Sequence, residues 1–166
     1  LRKSSRGRIL LENKEITNSL PCKFIREGVS CIPQDRKLTG SIGNFSLGEN
    51  LILRAHTQAP YSSQGLMRWK PIYQTADRLV EEFDVRTPNT RVKAKALSGG
   101  NLQKMIFGRE VSRSHRVLIA VQPTRGLDVA ATEAVYRYLL NERLKGIAVL
   151  LISTELEEIF TLSDTI

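Results

Sequence analysis

Acidic side chains are in short supply: 17 Asp and Glu stand against 25 Lys and Arg in 166 residues, a formal net charge of +8. Cysteine, histidine and tryptophan are scarcer, at two, two and one. Cys22 and Cys31, with eight residues between them and no second pair or nearby histidine, fit neither a zinc-site spacing nor a disulfide framework and read as reduced thiols. His56 and His115 stand alone and read as surface histidines. No apolar run approaches the ~20 residues that cross a bilayer. The start, Leu1-Arg2-Lys3-Ser4-Ser5-Arg6, lacks the apolar stretch of a signal peptide. These absences exclude a disulfide scaffold, a zinc module and a helical membrane span, and point to the cytosol. The chain also lacks an initiating Met, so an excised segment is expected.

Hydrophobic content of 41% with 25% charged residues suits one globular domain. Arg2, Lys3, Arg6 and Arg8 cluster at the start, and Lys104, Arg109, Arg113 and Arg116 follow later. No aromatic interleaving or recognition-helix pattern accompanies them, so nucleic acid is not the expected partner. A basic surface beside anionic lipid headgroups explains the charge equally well.

Residues 7–16 read as a hairpin with Ile9-Leu10-Leu11 as one arm and Glu12-Asn13-Lys14-Glu15 as the turn. Val29-Ser30-Cys31-Ile32 is a short buried strand stopped by Pro33, and residues 35–44 are a loop. Ser46-Leu47-Gly48-Glu49 has the form of a capping box opening a short helix to Leu53. A second helix, from about Lys70 to Glu82, buries Ile72, Ala76, Leu79, Val80 and Phe83. From Val117 the pattern becomes strand, helix, strand, with a helix over residues 130–143 whose inner face holds Ala131, Ala134, Val135, Tyr138 and Leu139. Both flanking strands are continuous apolar runs, of the kind covered on both faces in a parallel sheet.

The most informative run is Ala96-Leu97-Ser98-Gly99-Gly100-Asn101-Leu102-Gln103-Lys104. A serine and two glycines open a helix whose Leu102, Met105 and Ile106 form the apolar stripe. The first N–H groups of such a helix lack intrahelical partners, the dipole favours negative charge, and glycine lets a ligand approach the backbone, so the arrangement suits phosphate.

Leu97-Ser98-Gly99-Gly100 followed by Asn101-Leu102-Gln103-Lys104 resembles the signature motif of ABC-type ATPase domains. Val117-Leu118-Ile119-Ala120-Val121 then stands where the Walker B strand is expected, and Gln122-Pro123-Thr124-Arg125-Gly126-Leu127-Asp128 is similar to the Pro-Thr turn and D-loop. Gln34, within Ile32-Pro33-Gln34-Asp35-Arg36, is similar to the Q-loop glutamine that links nucleotide to the membrane subunit. The resemblance spans about residue 7 to residue 166. It implies an α/β P-loop NTPase (RecA-like) ABC ATPase core, truncated, in residues 7–44 and 113–166, with residues 45–112 as a helical insertion subdomain carrying the signature.

Against that family pattern, several chemical parts are missing. A Walker A loop needs a Gly-Lys pair, and none occurs in the chain. The Walker B strand should end in Asp, for Mg²⁺ through water, then Glu, to polarise the attacking water; Val121 and Gln122 stand there. Valine cannot ligate a metal, and a neutral amide cannot act as general base. Thr154 occupies the position of the switch histidine. The resemblance thus implies a degenerate site with no catalytic residue and no metal of its own, inactive alone. It implies a role in trans, in which Ser98, Gly99, Gly100, Asn101 and Gln103 complete the ATP site of a competent partner domain, with Gly126, Leu127 and Asp128 as its D-loop.

The forms Ser-Gly-Gly-Asn-x-Gln-Lys, Pro-Thr-Arg-Gly-Leu-Asp and Ile-Pro-Gln-Asp-Arg look like the second nucleotide-binding domain of bacterial simple-sugar and nucleoside importers. That branch implies ATP and Mg²⁺ in the full transporter, and a second ABC domain fused in the same polypeptide. It also implies transmembrane permease subunits, an indirect periplasmic or lipoprotein solute-binding protein, and a place on the cytoplasmic face of the membrane. Docking on the permease is expected from Gln34 through the segment from Phe45 to Arg54. A soluble ABC-like interaction module, or one associated with nucleic acid, is the alternative.

Overall fold

The computed structural model describes residues 3–166; Arg2 of the basic cluster lies outside them, and Lys3, Arg6 and Arg8 are exposed. A hairpin, β1 (Leu10–Leu11) and β2 (Lys14–Glu15), precedes helix α1 (Pro21–Arg26) and strand β3 (Val29–Ile32). Helix α2 (Leu47–Leu51), a small hairpin of β4 (Ser62–Ser63) and β5 (Leu66–Met67), and helix α3 (Trp69–Glu82) follow. Helix α4 (Gly99–Val111) leads to β6 (Val117–Val121), α5 (Val129–Leu144), β7 (Ala148–Ile152) and α6 (Leu156–Leu162). Strands β3, β6 and β7 form a parallel sheet in that order, pairing Ile32 with Ala120 and Val121 with Ile152.

Local chemistry explains much of this. The expected capping box is present: Ser46 Oγ accepts from the Glu49 amide at 3.1 Å, and the Glu49 carboxylate accepts from the Ser46 amide at 2.7 Å. Helix α3 buries Ile72, Ala76 and Leu79, with Phe83 at its C-cap and Val80 half-buried. The first hairpin differs from expectation: only Glu12 and Asn13 turn, both in the left-handed region, and Lys14 and Glu15 form the second arm. A two-residue turn of that hand matches the twist of its strands. Helices α1 and α6 carried too weak a periodicity to be expected at all.

Other corrections concern burial. Among the described residues the final strand is not covered on both faces: Val149 and Leu151 pack against the core, where α5 meets β7, while Leu150 and Ile152 are about half exposed. His115 is buried, its Nδ1 2.8 Å from the Arg113 carbonyl and its Nε2 2.9 Å from the Glu142 carboxylate, though not aligned for a hydrogen bond to it. His56 is exposed, as expected.

Helix α4 is the hub of the molecule. Its residues from Met105 to Glu110 are buried without a break, so it is a core helix rather than one with a single apolar stripe. Phe107, Met105 and Ile106 join Ile32, Leu118 and Ala120 of the sheet, Val135 and Leu139 of α5, and Leu79 and Phe83 in one cluster. Arg109, read from sequence as part of a basic run, is instead buried beside Glu110, with Nε 2.9 Å from its carboxylate. Arg54 reaches the same carboxylate at 3.0 Å, and the second carboxylate oxygen accepts the Cys31 amide at 3.3 Å. Burial pulls the Arg109 guanidinium below its ordinary value while Glu110 opposes the shift.

This network also sets thiol reactivity. Burial, and then the charge of Glu110, push the Cys31 thiol up, with Arg54 opposing, while Cys22 is exposed. Because the thiolate is the nucleophile, iodoacetamide at about pH 8 is expected to modify Cys22 well before Cys31, and Cys31 to catch up as pH rises. Peptide mapping of the two sites reads this out, and equal rates across pH would contradict it.

Candidate functional site

The site is built from the starts of α4 and α5 and the loops beside them. Ser98 is the N-cap of α4: its Oγ accepts from the Asn101 amide at 3.3 Å and from Asn101 Nδ2 at 3.1 Å. Asn101 is braced in turn, its Oδ1 accepting the Arg86 amide at 2.8 Å. Ser98 is exposed and Gly99 and Gly100 half-exposed. Their amides belong to the first turn, which has no carbonyl four residues back within the helix.

Asp128 caps α5 in the same manner, Oδ1 accepting the Ala131 amide at 2.8 Å. The two helix starts touch: a Cβ at position 100 would lie 3.1 Å from that of Ala131, so glycine permits this approach. Gly126 takes a left-handed φ of 63° in the turn before Asp128, and Leu127 packs on the core. Gln34 is exposed after β3 and shares with Asp35, Arg36, Lys37, Arg125 and Gly126 an open cleft of about 580 Å³.

Gln103 does not share that surface. It is 2% exposed, and its Nε2 donates to the Pro123 carbonyl at 2.7 Å, tying α4 to the turn after β6. Glu158, missed by sequence reading, pins the same turn from the other side: its buried carboxylate accepts from Thr124 Oγ1 at 3.0 Å. A glutamate in the first turn of a short helix carries no mark of burial in sequence. Lys104 faces Asp84, donating to its carboxylate at 2.5 Å and holding that carboxyl below the usual range.

At the far end of β6, Gln122 and Thr154 come together although 32 residues apart. The Gln122 amide donates to Thr154 Oγ1 at 3.1 Å, and its carbonyl oxygen lies 3.2 Å from the same hydroxyl. Gln122 holds a left-handed φ of 49°, a conformation that costs a non-glycine residue on the order of 1 kcal/mol. Val121 closes the strand with an alkyl side chain. These three side chains do not fit a Mg²⁺ site, since an alkyl group and a mutually bonded amide and hydroxyl supply no anionic ligand. The start of α4 does fit an anionic oxygen, through the Ser98 hydroxyl and the first-turn amides.

Solved ATP-binding cassettes superpose on this three-stranded parallel sheet and its helices, which gives the chain the P-loop NTPase fold of ABC ATPases. A nucleotide-free cassette from an ABC transporter aligns with a TM-score of 0.75 at 22% identity, covering 98% of this chain and 65% of that one. The post-hydrolysis dimer of the cassette MJ0796, bound to ADP and Pi, gives 0.71 at 18% identity over 95% and 66%. A family model described as ABC transporter matches residues 1–125, and the chain belongs to that family. It is 49% identical over its full length to the guanosine import ATP-binding protein NupO of Bacillus subtilis strain 168, and 43% identical to the nucleoside import ATP-binding protein NupA of Lactococcus lactis subsp. cremoris. The ribose import ATP-binding protein RbsA of Shouchella clausii is 37% identical over 95% of this chain. The chain spans about a third of the length of these curated relatives.

Proposed function

We propose that this chain is part of the ATP-binding subunit of an importer for nucleosides or simple sugars, and that its own half-site does not hydrolyse ATP. The observation that carries the second statement is the Gln122–Thr154 pair. A neutral amide and a hydroxyl satisfy each other where a base and an imidazole would have to act. The sequence similarity to nucleoside and ribose import proteins supports the first.

On this reading residues 45–112 form the helical insertion and carry a signature that works in trans, against ATP held with Mg²⁺ by a second ABC domain. Ser98 and the Gly99 and Gly100 amides hold anionic oxygens there, positioning charge without moving a proton. Asn101 braces Ser98, and Gln103 fixes α4 against the Pro123 turn, so both serve the edge without facing the ligand. The nucleotide supplies the phosphoryl bond, and the partner domain supplies the base.

The permease docks on the loop after Gln34; no helix among the described residues is long and apolar enough to cross a membrane. Leu38 and Phe45 are exposed there. Asp35 and Arg36 are not free to form the contact: Asp35 Oδ1 accepts from the amides of Lys37 and Leu38, and Arg36 is bonded within the chain. Leu38→Asp is therefore the informative disruption, expected to reduce co-purification with the permease while leaving ATP-driven dimer closure intact.

Gln122→Ala tests the inactive half-site. In the full-length subunit with its permease, turnover is expected to stay within about twofold of the parent. Loss of phosphate release with normal assembly would place the working site in this half instead.

A further inference from the structure

Arg36 lies in the seam between three segments that are far apart in sequence. Its Nη1 donates to the Arg125 carbonyl at 2.7 Å and its Nη2 to the Gly126 carbonyl at 3.1 Å, so one planar guanidinium holds two successive carbonyls of the turn leading to Asp128. The same group closes over the start of α4: a Cβ built on Gly99 would lie 3.2 Å from Nη2 and 3.4 Å from Nε. A side chain at position 99 would crowd this guanidinium.

The backbone that carries Arg36 is itself fixed. The amides of Thr39 and Gly40 donate to the Asp35 carbonyl at 3.1 and 2.8 Å, and Ser41 Oγ donates to the Arg36 carbonyl at 2.8 Å. Gly40 seats this turn on the core, since a Cβ there would come within 2.6 Å of the Ile106 Cδ1 of α4 and 2.9 Å of the Arg36 Cα. A rigid turn directly after Gln34 thus carries a two-pronged donor into the turn before Asp128, beside the first residue of α4.

We propose that Arg36 is a positioning residue that fastens the Gln34 loop to the 125–126 carbonyls while lying against Gly99, so that Ser98, Gly99, Gly100 and Asp128 are presented as one rigid edge. A displacement of the Gln34 loop is then passed to that edge through two hydrogen bonds, without a change in the core. This rests on the reading that the edge completes a partner domain's ATP site. Because the edge is engaged in the closed state and the partner holds nucleotide in the open one, loosening it slows turnover without weakening nucleotide binding.

The test uses the full-length subunit with its permease in vesicles, reading kcat and KM for MgATP. Arg36→Ala is expected to lower kcat about tenfold with KM within about twofold. Arg36→Lys, which keeps the charge but cannot span both carbonyls, is expected to recover only part of the loss. A kcat within about twofold of the parent for Arg36→Ala, a rise of KM that accounts for the loss, or full recovery by Arg36→Lys overturns the proposal. Should Arg36→Ala fail to fold, Arg36→Lys decides it, with a reduced kcat at unchanged KM as support and parental kcat as refutation. Ser98→Arg in parallel separates the two levels. If it abolishes turnover while the Arg36 variants behave as parent, the clamp alone falls; if it is itself near normal, the reading in trans falls.

Discussion

Ser98→Arg in the full-length subunit is expected to lower transport-coupled ATP hydrolysis by about 100- to 1,000-fold, the cost of removing one oriented donor from a developing oxyanion. Ser98 caps α4 with Oγ facing the Asn101 amide and the side chain at the surface, so arginine removes a cap and places a bulky group over the Gly99 and Gly100 amides. The loss of the cap costs about 1 kcal/mol, too little to unfold a domain tied down by Phe107, Met105 and Ile106. Loss of activity with a preserved unfolding transition therefore points to the edge rather than the fold. Phosphate release from the reconstituted importer measures it, and near-normal release would refute a working signature here.

Glu110→Ala is expected to be the most damaging change to stability, by about 3–5 kcal/mol, because it leaves two guanidinium groups without their shared carboxylate. Glu110 is fully buried, Arg109 nearly so, and the Arg54 side chain keeps about a fifth of its exposure. Arg54→Met should cost less, since Arg109 still pairs with Glu110 and the removed cation was partly hydrated. Urea titration of both variants separates the cases. A loss under about 1 kcal/mol for Glu110→Ala would mean that the pair behaves as a surface ion pair.

Short-range patterns carried a good part of the architecture. The capping box at Ser46 and Glu49, the apolar spacing from Ile72 to Leu79, the helix opened by Ser98 and the strand-helix-strand run from Val117 are each written in neighbouring residues. All appear in the structure within a few residues of the expected bounds. Burial was less legible. Arg109, Glu110, His115, Glu142 and Glu158 are polar letters in polar-looking spacing; Glu110, His115, Glu142 and Glu158 are buried where a partner from elsewhere in the fold meets each, and Arg109 is buried against its neighbour Glu110. The apolar run of β7 pointed the other way, since its alternate residues Leu150 and Ile152 stay about half exposed among the described residues.

The motif order from Gln34 to Thr154 was likewise a property of the chain alone, because each motif is a local run whose residue types and spacing can be read without neighbours. Tertiary structure decided which of those residues meet. It turned Gln103 inward to Pro123, joined Gln122 to Thr154, and set Arg36 across the Arg125 and Gly126 carbonyls. The physical reason is range. A cap or a helical stripe is settled by bonds within one turn, whereas a hydrogen bond between residues 36 and 125 exists only after β3 and β6 pair and α4 packs beneath them.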